Sequence, residues 1–549
     1  MKKRIFVVGL VFAMITTMCI LSGCGEKSSG SSSWDNILAE LDYDEDKLPD
    51  PVRDALILEG SWNDMGKQYG EAYPDLVKMT IAAEIGSILE EHSYEEIEKG
   101  IKKQLDYYDK YAPEVTELLR GISEGSGVNF DYVVAGFSRM DGDSFCSSMA
   151  AWGDATKGGK VIAGANMDID VGVASIGGET CFYGPALICY PEGEHAFVTN
   201  GGFFSTVVMN DAGVCFVGSS GQHELEDDTD YGLPVRSPMT FLAAKCATAE
   251  EAKDMYINDG YCPGTGDNFH VIDENGSYVI EHTASKSEIR QAGDFGENDY
   301  TVATNDYMIE TMKESMIPAD SDEFWDDCRP RYWTEERCIV EADGKATEDT
   351  FAKALGCNDF YIPENWKELG WAPGFDSSEL KTGWNKSTWD LDHYQGYWSP
   401  ENREPSLKAV SRGIAVPEDM TLYIMTGCSD TLVSTNPGAL GTYMNIVLDE
   451  DYTVTASEAK RYATMQNFLA ARDIDTSGKE DSSRLKNLDK AKEYVIKGNN
   501  SVYKGKLAET KADKRKYYSK AITNYCKAQC YAQAAQDNPE KVLRDGRDY

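Results

Sequence analysis

From Glu59 to Gly127 the chain repeats apolar residues at three- and four-residue spacing, interrupted at Pro74 and Pro113. That period predicts a helical region of several segments. From about Phe145 the texture shortens to apolar runs separated by Gly, Asn and Asp: "KVIAGANMDID", "ALICYPEGEHAFVTN", "STVVMNDAGVCFVGSS", "NFHVIDENGSYVIEHT" and "YTVATNDY". These read as strands, and the Glu274-Asn275-Gly276 tip between two β-branched runs is a hairpin signal. "RYWTEERCIVEA", near Arg331, returns to helix, and "MTLYIMTGCSD" and "GTYMNIVLDE" return to strand. The chain from about Ser457 is polar, Lys-rich and Ala-rich with a break at "DTSGKEDSS", which predicts a terminal helical hairpin whose role is packing or solvated surface. Repeated hairpins with helices before, between and after them predict an α+β fold built on antiparallel sheet.

The amino terminus changes the picture of where this fold works. Lys2, Lys3 and Arg4 precede the apolar run "IFVVGLVFAMITTMCIL", the layout of a signal peptide, and "LSGC" follows. Leu21 three residues before Cys24 resembles the lipobox of bacterial lipoproteins, so residues 1–23 are expected to be removed and Cys24 to carry lipid. The protein would then be anchored to the cell membrane on its extracellular face. Residues 24–33 read as a Ser/Gly linker, residues 34–145 as a helical amino-terminal segment, 146–455 as the β-rich body and 456–549 as a helical extension. The formal charge of −40, from 93 acidic and 53 basic residues, argues against nucleic acid as a partner. Fourteen cysteines show no CxxC pairs or regular spacing, so neither a metal framework nor a disulfide framework is written in them, and no cofactor is implied.

One cysteine, Cys146 in "GDSFCSSMAAWGDATKGGK", stands between small polar residues at the head of the β-rich body. A thiol of ordinary pKa, about 8.5, needs an activator to react near neutral pH. His270 and His282, on predicted hairpin strands, would serve if folding brought them to the sulfur. The other route is to cut the peptide bond before Cys146, so that its own α-amine, with a pKa of about 7.7 to 8.0, accepts the proton. A buried structural role is the alternative for the same residue.

The second route matches a resemblance. "CSSMAAWGDATKGGKVIAGANMDID" resembles the start of the catalytic chain in amino-terminal-nucleophile (Ntn) hydrolases, specifically peptidase family C45, the acyl-coenzyme A:6-aminopenicillanic acid acyltransferase family. "EGSWNDMGKQYGEAYPDLV", "LLRGISEGSGVNFDYVV", "NDAGVCFVGSS", "VATNDY" and "RPRYWTEER" follow the family's order, from about Leu58 to Leu448. The resemblance implies an αββα sandwich, Cys146 as nucleophile, and self-cleavage between Phe145 and Cys146 into chains that stay associated. It further implies Asn166 and Asp168 beside the freed amine, Asn305 as an amide donor to the oxyanion, and Arg331, or its neighbour Arg329, in the active site. Such an oxyanion donor is worth roughly 3 to 4 kcal/mol. Structural readings of the same residues are a turn or Ca²⁺ ligand for Asp168, a strand-end turn for Asn305 and an ion pair for Arg331.

The sequence also departs from the pattern. Ala165 stands where bile-salt hydrolases carry an Arg, Ser220 near a second oxyanion Asn, and Asp306 where the family's triplet has His, which is expected to alter the substrate's electrostatic preference. The expected activity is hydrolysis or acyl transfer at a linear, non-peptide amide of a small molecule, through an acyl-cysteine. A segment from about Asp359 to Pro400, with Trp366, Trp371, Trp384, Trp389 and Trp398, would be either an aromatic lid or a packed insertion. The competing functions are a secreted dipeptidase of the C69 type and a non-catalytic solute-binding lipoprotein.

Overall fold

The computed structural model describes residues 41–42, 54–138, 144–170, 185–203, 205–223, 231–317, 328–355, 360–369, 382–385, 407–426, 442–447 and 482–534. The chain opens with β1 (Ala55–Gly60), then α1 (Trp62–Ala72), α2 (Pro74–Glu91), α3 (Tyr94–Tyr111), α4 (Pro113–Ser126) and α5 (Phe130–Ser138). Pro74 and Pro113 each occupy the first position of a helix, where the missing N–H has no intrahelical acceptor to lose. Ser61 and Ser93 start α1 and α3 through reciprocal capping boxes with Asp64 and Glu96.

Strands β2 (Ser144–Gly153), β3 (Gly159–Asp170), β4 (Ala186–Pro191), β5 (Phe197–Thr199), β6 (Val207–Asn210) and β7 (Cys215–Ser220) follow. Next come α6 (Ser237–Lys245), α7 (Ala249–Asn258), β8 (Asp267–Asp273), β9 (Gly276–Thr283), β10 (Lys286–Arg290) and β11 (Tyr300–Ala303). The remainder is α8 (Glu310–Lys313), α9 (Cys328–Glu341), α10 (Glu348–Leu355), β12 (Phe360–Ile362), β13 (Gly383–Asn385), β14 (Leu407–Val416), β15 (Thr421–Thr426), β16 (Thr442–Val447), α11 (Ser482–Leu507) and α12 (Lys511–Ala534). The fold is α+β. No helix among the described residues is long and apolar enough to cross a membrane.

Eight strands form one sheet in the order β1-β4-β5-β6-β7-β8-β9-β10, and six form another in the order β11-β2-β3-β14-β15-β16. Among the described strands only β1 and β4 pair in parallel; the other ladders are antiparallel, without the parallel βαβ alternation that a solute-binding protein would need. Alternation of side chains sets what each sheet faces. Ser148 on β2 meets His270 on β8, so these faces of the two sheets oppose each other. One residue earlier, Ser147 points the other way and reaches Arg331 on α9, and Gly164 on β3 lies against Phe351 and Leu355 of α10. On the eight-stranded sheet, Gly218 of β7 lies against Met239 of α6, and Phe269 of β8 stacks on Tyr256 of α7.

The segment before Cys146 is woven into the segment after it. Besides the β1–β4 ladder, Trp62 Nε1 donates to Glu194 at 2.9 Å, Tyr261 Oη donates to Glu114 at 2.6 Å, and Lys245 lies 3.3 Å from Glu114 and 3.2 Å from Glu194. The outer edge of β1 is covered by α12. Ser519 Oγ accepts the Ile57 N–H at 3.0 Å, Thr523 Oγ1 accepts the Ala55 N–H at 3.2 Å, and Arg515 pairs with Glu59 at 2.8 Å. The predicted terminal hairpin therefore closes a sheet edge that would otherwise offer unpaired N–H groups to another chain.

The glycines of the first two motifs are packing devices. A Cβ on Gly66 of α1 would stand 2.2 Å from the Leu118 carbonyl oxygen, and one on Gly121 of α4 would stand 2.1 Å from that of Asn63. Gly70 and Gly125 meet the opposite backbone in the same way, so the two helices cross with their main chains in contact. Gly121→Ala must separate them and is expected to lower stability by at least about 2 kcal/mol. Urea denaturation checks this, with Gly100→Ala on α3 as control; a Cβ there meets nothing within 4 Å, and the change should be neutral or stabilising by about 0.5 to 1 kcal/mol.

Candidate active site

Cys146 is fully buried on β2, on the face turned toward the eight-stranded sheet, and is not disulfide-bonded. In a regular ladder its N–H would go to a backbone carbonyl; instead it donates to Asn305 Oδ1 at 3.1 Å. The next N–H along the strand, that of Ser147, donates to Asn166 Oδ1 on β3 at 3.0 Å. Two side-chain amides thus replace ladder acceptors on either side of β2.

Asn305 lies just past β11, where the chain leaves the sheet. Arg331 Nη2 also donates to its Oδ1, at 2.9 Å, while its Nδ2 donates to the Ser220 carbonyl at the end of β7, at 2.7 Å. Two N–H donors converge on one atom, which fixes that atom as the amide oxygen. The amide nitrogen expected to serve an oxyanion is therefore held by Ser220, and it is the oxygen that faces Cys146. Asn166 is arranged differently. It is fully buried, and its Nδ2 has no hydrogen-bond partner among the described residues.

Arg331, in the first turn of α9, is fully buried and donates through Nη1 to the Cys146 carbonyl at 2.6 Å and to Ser147 Oγ at 3.1 Å. This separates it from Arg329, which pairs with Asp306 at 2.7 Å. Asp306 also accepts from Gln222 Nε2 at 3.0 Å, so the carboxylate expected to alter substrate preference is compensated within the protein. Asp168 stands on β3 opposite Phe145. The side chains of both lie outside the described residues.

The histidines are engaged elsewhere. His270 lies 3.3 Å from Ser148 Oγ through Nδ1 and 2.8 Å from Thr301 Oγ1 through Nε2, and burial, aided by Arg290, holds its pKa well below the usual imidazole range. His282 meets Ser287 and the Pro263 carbonyl, and burial pushes it down to about 4. The described part of the aromatic segment lies along α9: the Tyr361 N–H donates to Thr334 Oγ1 at 2.9 Å, one turn from Arg331. Trp384 donates to Glu341, ten residues along α9 from Arg331 and so about 15 Å from it, and stacks edge-on with Tyr361. Trp371, Trp389 and Trp398 lie outside the described residues.

Sequence reasoning missed Arg236. It precedes α6, is buried, and places Nη2 3.3 Å from Cys146 Sγ. Nothing in "PVRSPMTFL" distinguishes it from any arginine before a helix; only the fold brings it ninety positions back to the thiol. Its backbone is left-handed, at φ 69°. Behind it on β8 lies buried Asp267, which accepts from Tyr256 Oη at 3.0 Å. Burial pushes the Asp267 carboxyl up to about 7, while the Tyr256 hydrogen bond and the Arg236 charge pull it down.

No family model and no curated protein matches the chain. Among solved structures it is similar to that of a mutant conjugated bile acid hydrolase from Clostridium perfringens. The two share 12% identity over 56% of this chain and 93% of that one, with a TM-score of 0.31. It is also similar to penicillin V acylase from Agrobacterium tumefaciens, at 11% identity over 56% of this chain and 87% of that one, with a TM-score of 0.30.

Because its folded pKa lies above the unfolded value, Asp267 contributes stability that is complete below about pH 4 and is lost as pH rises through about 7. Asp267→Asn keeps an acceptor for Tyr256 and cannot ionise. The stability of wild type minus that of the variant, measured by denaturation from pH 4 to pH 8, should fall by on the order of a few kcal/mol. A pH-independent difference would mean that Asp267 does not change charge over this range in the fold.

Proposed function

We propose that the chain is an Ntn hydrolase of αββα architecture and C45 type, which cleaves or transfers acyl groups at linear amide C–N bonds of small molecules. The observation that carries this reading is the Cys146 N–H held at 3.1 Å by Asn305 Oδ1. That nitrogen is the one which cutting the Phe145–Cys146 bond would convert to an amine, and an acceptor already waits for it. In the first step Cys146 Sγ attacks the Phe145 carbonyl, the C–N bond breaks, and the nitrogen leaves with a proton. Water then hydrolyses the Phe145 thioester, releasing a carboxylate and the free thiol.

In turnover the amine takes the thiol proton, and the sulfur attacks the substrate amide. The amine returns the proton to the leaving nitrogen, and water or an acceptor nucleophile takes the acyl group from sulfur. Asn305 Oδ1 and Arg331 orient the amine end of Cys146 through the bonds described above. Asn166, which accepts the Ser147 N–H beside the nucleophile, and Asp168 are assigned to the neighbourhood of the freed amine, Asp168 to its ammonium form. On this reading the protein is a lipoprotein tethered through Cys24 outside the cell, and its two pieces stay together through the β1–β4 ladder and the contacts around Glu114 and Glu194.

The test is intact mass and amino-terminal sequencing of the protein beginning after Cys24, beside Cys146→Ala. Wild type should give two co-purifying fragments, the second starting at Cys146, and the variant one chain. A single uncut chain in both would remove the self-made base and with it this mechanism.

A further inference from the structure

We infer that Arg236 is a catalytic residue that stabilises the thiolate of Cys146, a role that rests on reading Cys146 as the nucleophile. Three observations carry it. The guanidinium is buried with the sulfur and donates toward it at 3.3 Å, a contact in which a fixed positive charge, shielded from water, acts at nearly full strength on the atom that becomes negative. The other guanidinium at the site has a different task, since Arg331 bonds the Cys146 carbonyl, Ser147 and Asn305. Lastly, the backbone of Arg236 is held at φ 69°, a conformation that glycine adopts more cheaply. The chain tolerates this strain at the residue whose side chain reaches the sulfur.

No other described side chain is placed to do this work. Ala165, on the facing strand β3, offers no charge, and the ring nitrogens of His270 and His282 bond other groups. Among the described residues, the titratable and charged groups near the thiol include Arg236 with Asp267 behind it on β8, Arg331 with Cys328 at 3.3 Å on α9, His270 on β8, and buried Arg412, which stands on β14 opposite Asn166. When the thiol ionises, its electron pair stays on Sγ and its proton passes to the α-amine of Cys146, or to solvent before that amine exists. Arg236 keeps its own protons throughout.

The experiment is a pH titration of thiolate ultraviolet absorbance, taken for each protein as the difference from the same protein carrying Cys146→Ser, in wild type, Arg236→Gln and Arg236→Lys. Arg236→Gln should move the midpoint to higher pH, lowering the thiolate fraction near neutrality by about tenfold, and Arg236→Lys should fall between the two because it keeps the charge. If the Gln variant does not fold by circular dichroism, wild type against Lys decides the point: a midpoint shifted upward supports the role. Superimposable titrations in folded proteins, or a shift in Gln that Lys does not reduce, would overturn it. The readout belongs to the sulfur, so the two readings fail separately. An uncut, inactive chain with the shift would sink the amidase reading, and with it the catalytic use of Arg236, while leaving its hold on the thiolate; a cut, active enzyme without the shift would sink the role of Arg236 alone.

Discussion

A guanidinium sealed from water must find acceptors inside the protein, and Arg331 finds them on two stretches of chain at once: the Cys146 carbonyl and Ser147 Oγ on β2, and Asn305 Oδ1 past β11. Leaving such a group unpaired in the interior costs several kcal/mol, so the requirement fixes the geometry around it. Helix α9 has to lie against β2 with its first turn at the cysteine, and the chain leaving β11 has to turn back over the same point. Asn305 then carries the constraint onward to β7 through the Ser220 carbonyl. The two sheets are joined at the candidate nucleophile by polar bonds, and beyond it by the polar layer of His270, Ser148 and Thr301 and by apolar packing.

A second buried charge cluster holds the loop that carries Asn305. Glu281 on β9 accepts from Arg290 at 3.0 Å and from the backbone N–H groups of Met308 and Ile309 at 2.8 and 3.0 Å. Arg290 in turn reaches toward Glu297, which accepts from Tyr332 on α9. The same helix that delivers Arg331 is thus tied, one residue later, to the network that anchors the loop of Asn305. Precision at the thiol depends on this surrounding scaffold.

What was legible in the sequence was local. Pro74, Pro113 and the Glu274-Asn275-Gly276 tip announce elements through interactions a few residues long, and the elements lie where those signals put them. The glycines of "GKQYG" and "GISEGSG" were legible as a motif, but their reason, two backbones in contact, exists only once the helices cross. Asn305 and Arg331 stand 159 and 185 positions along the chain from Cys146, and only a resemblance connected the three in advance. Arg236 had no such aid. The histidines were credited with chemistry because of their residue type, yet His270 completes a polar layer with Ser148 and Thr301; of the aromatic segment read as a lid or a packed insertion, Trp384 packs at the far end of α9. Residue type suggests reactivity; burial and neighbours decide it.

Strand β1 precedes Cys146 in the chain yet forms one end of the larger sheet, clasped between β4 and α12. In the uncut chain that strand is assembled by a folding reaction within one molecule, at the high local concentration that covalent connection provides. Were the bond before Cys146 cut as proposed, the same sheet would be shared by two polypeptides, and losing the first one would be a dilution from which neither piece returns. Such a cut would remove the molecule's ability to refold: a chain divided in this way would fold once as a precursor, and its lifetime afterwards would be set by how slowly the sheet opens.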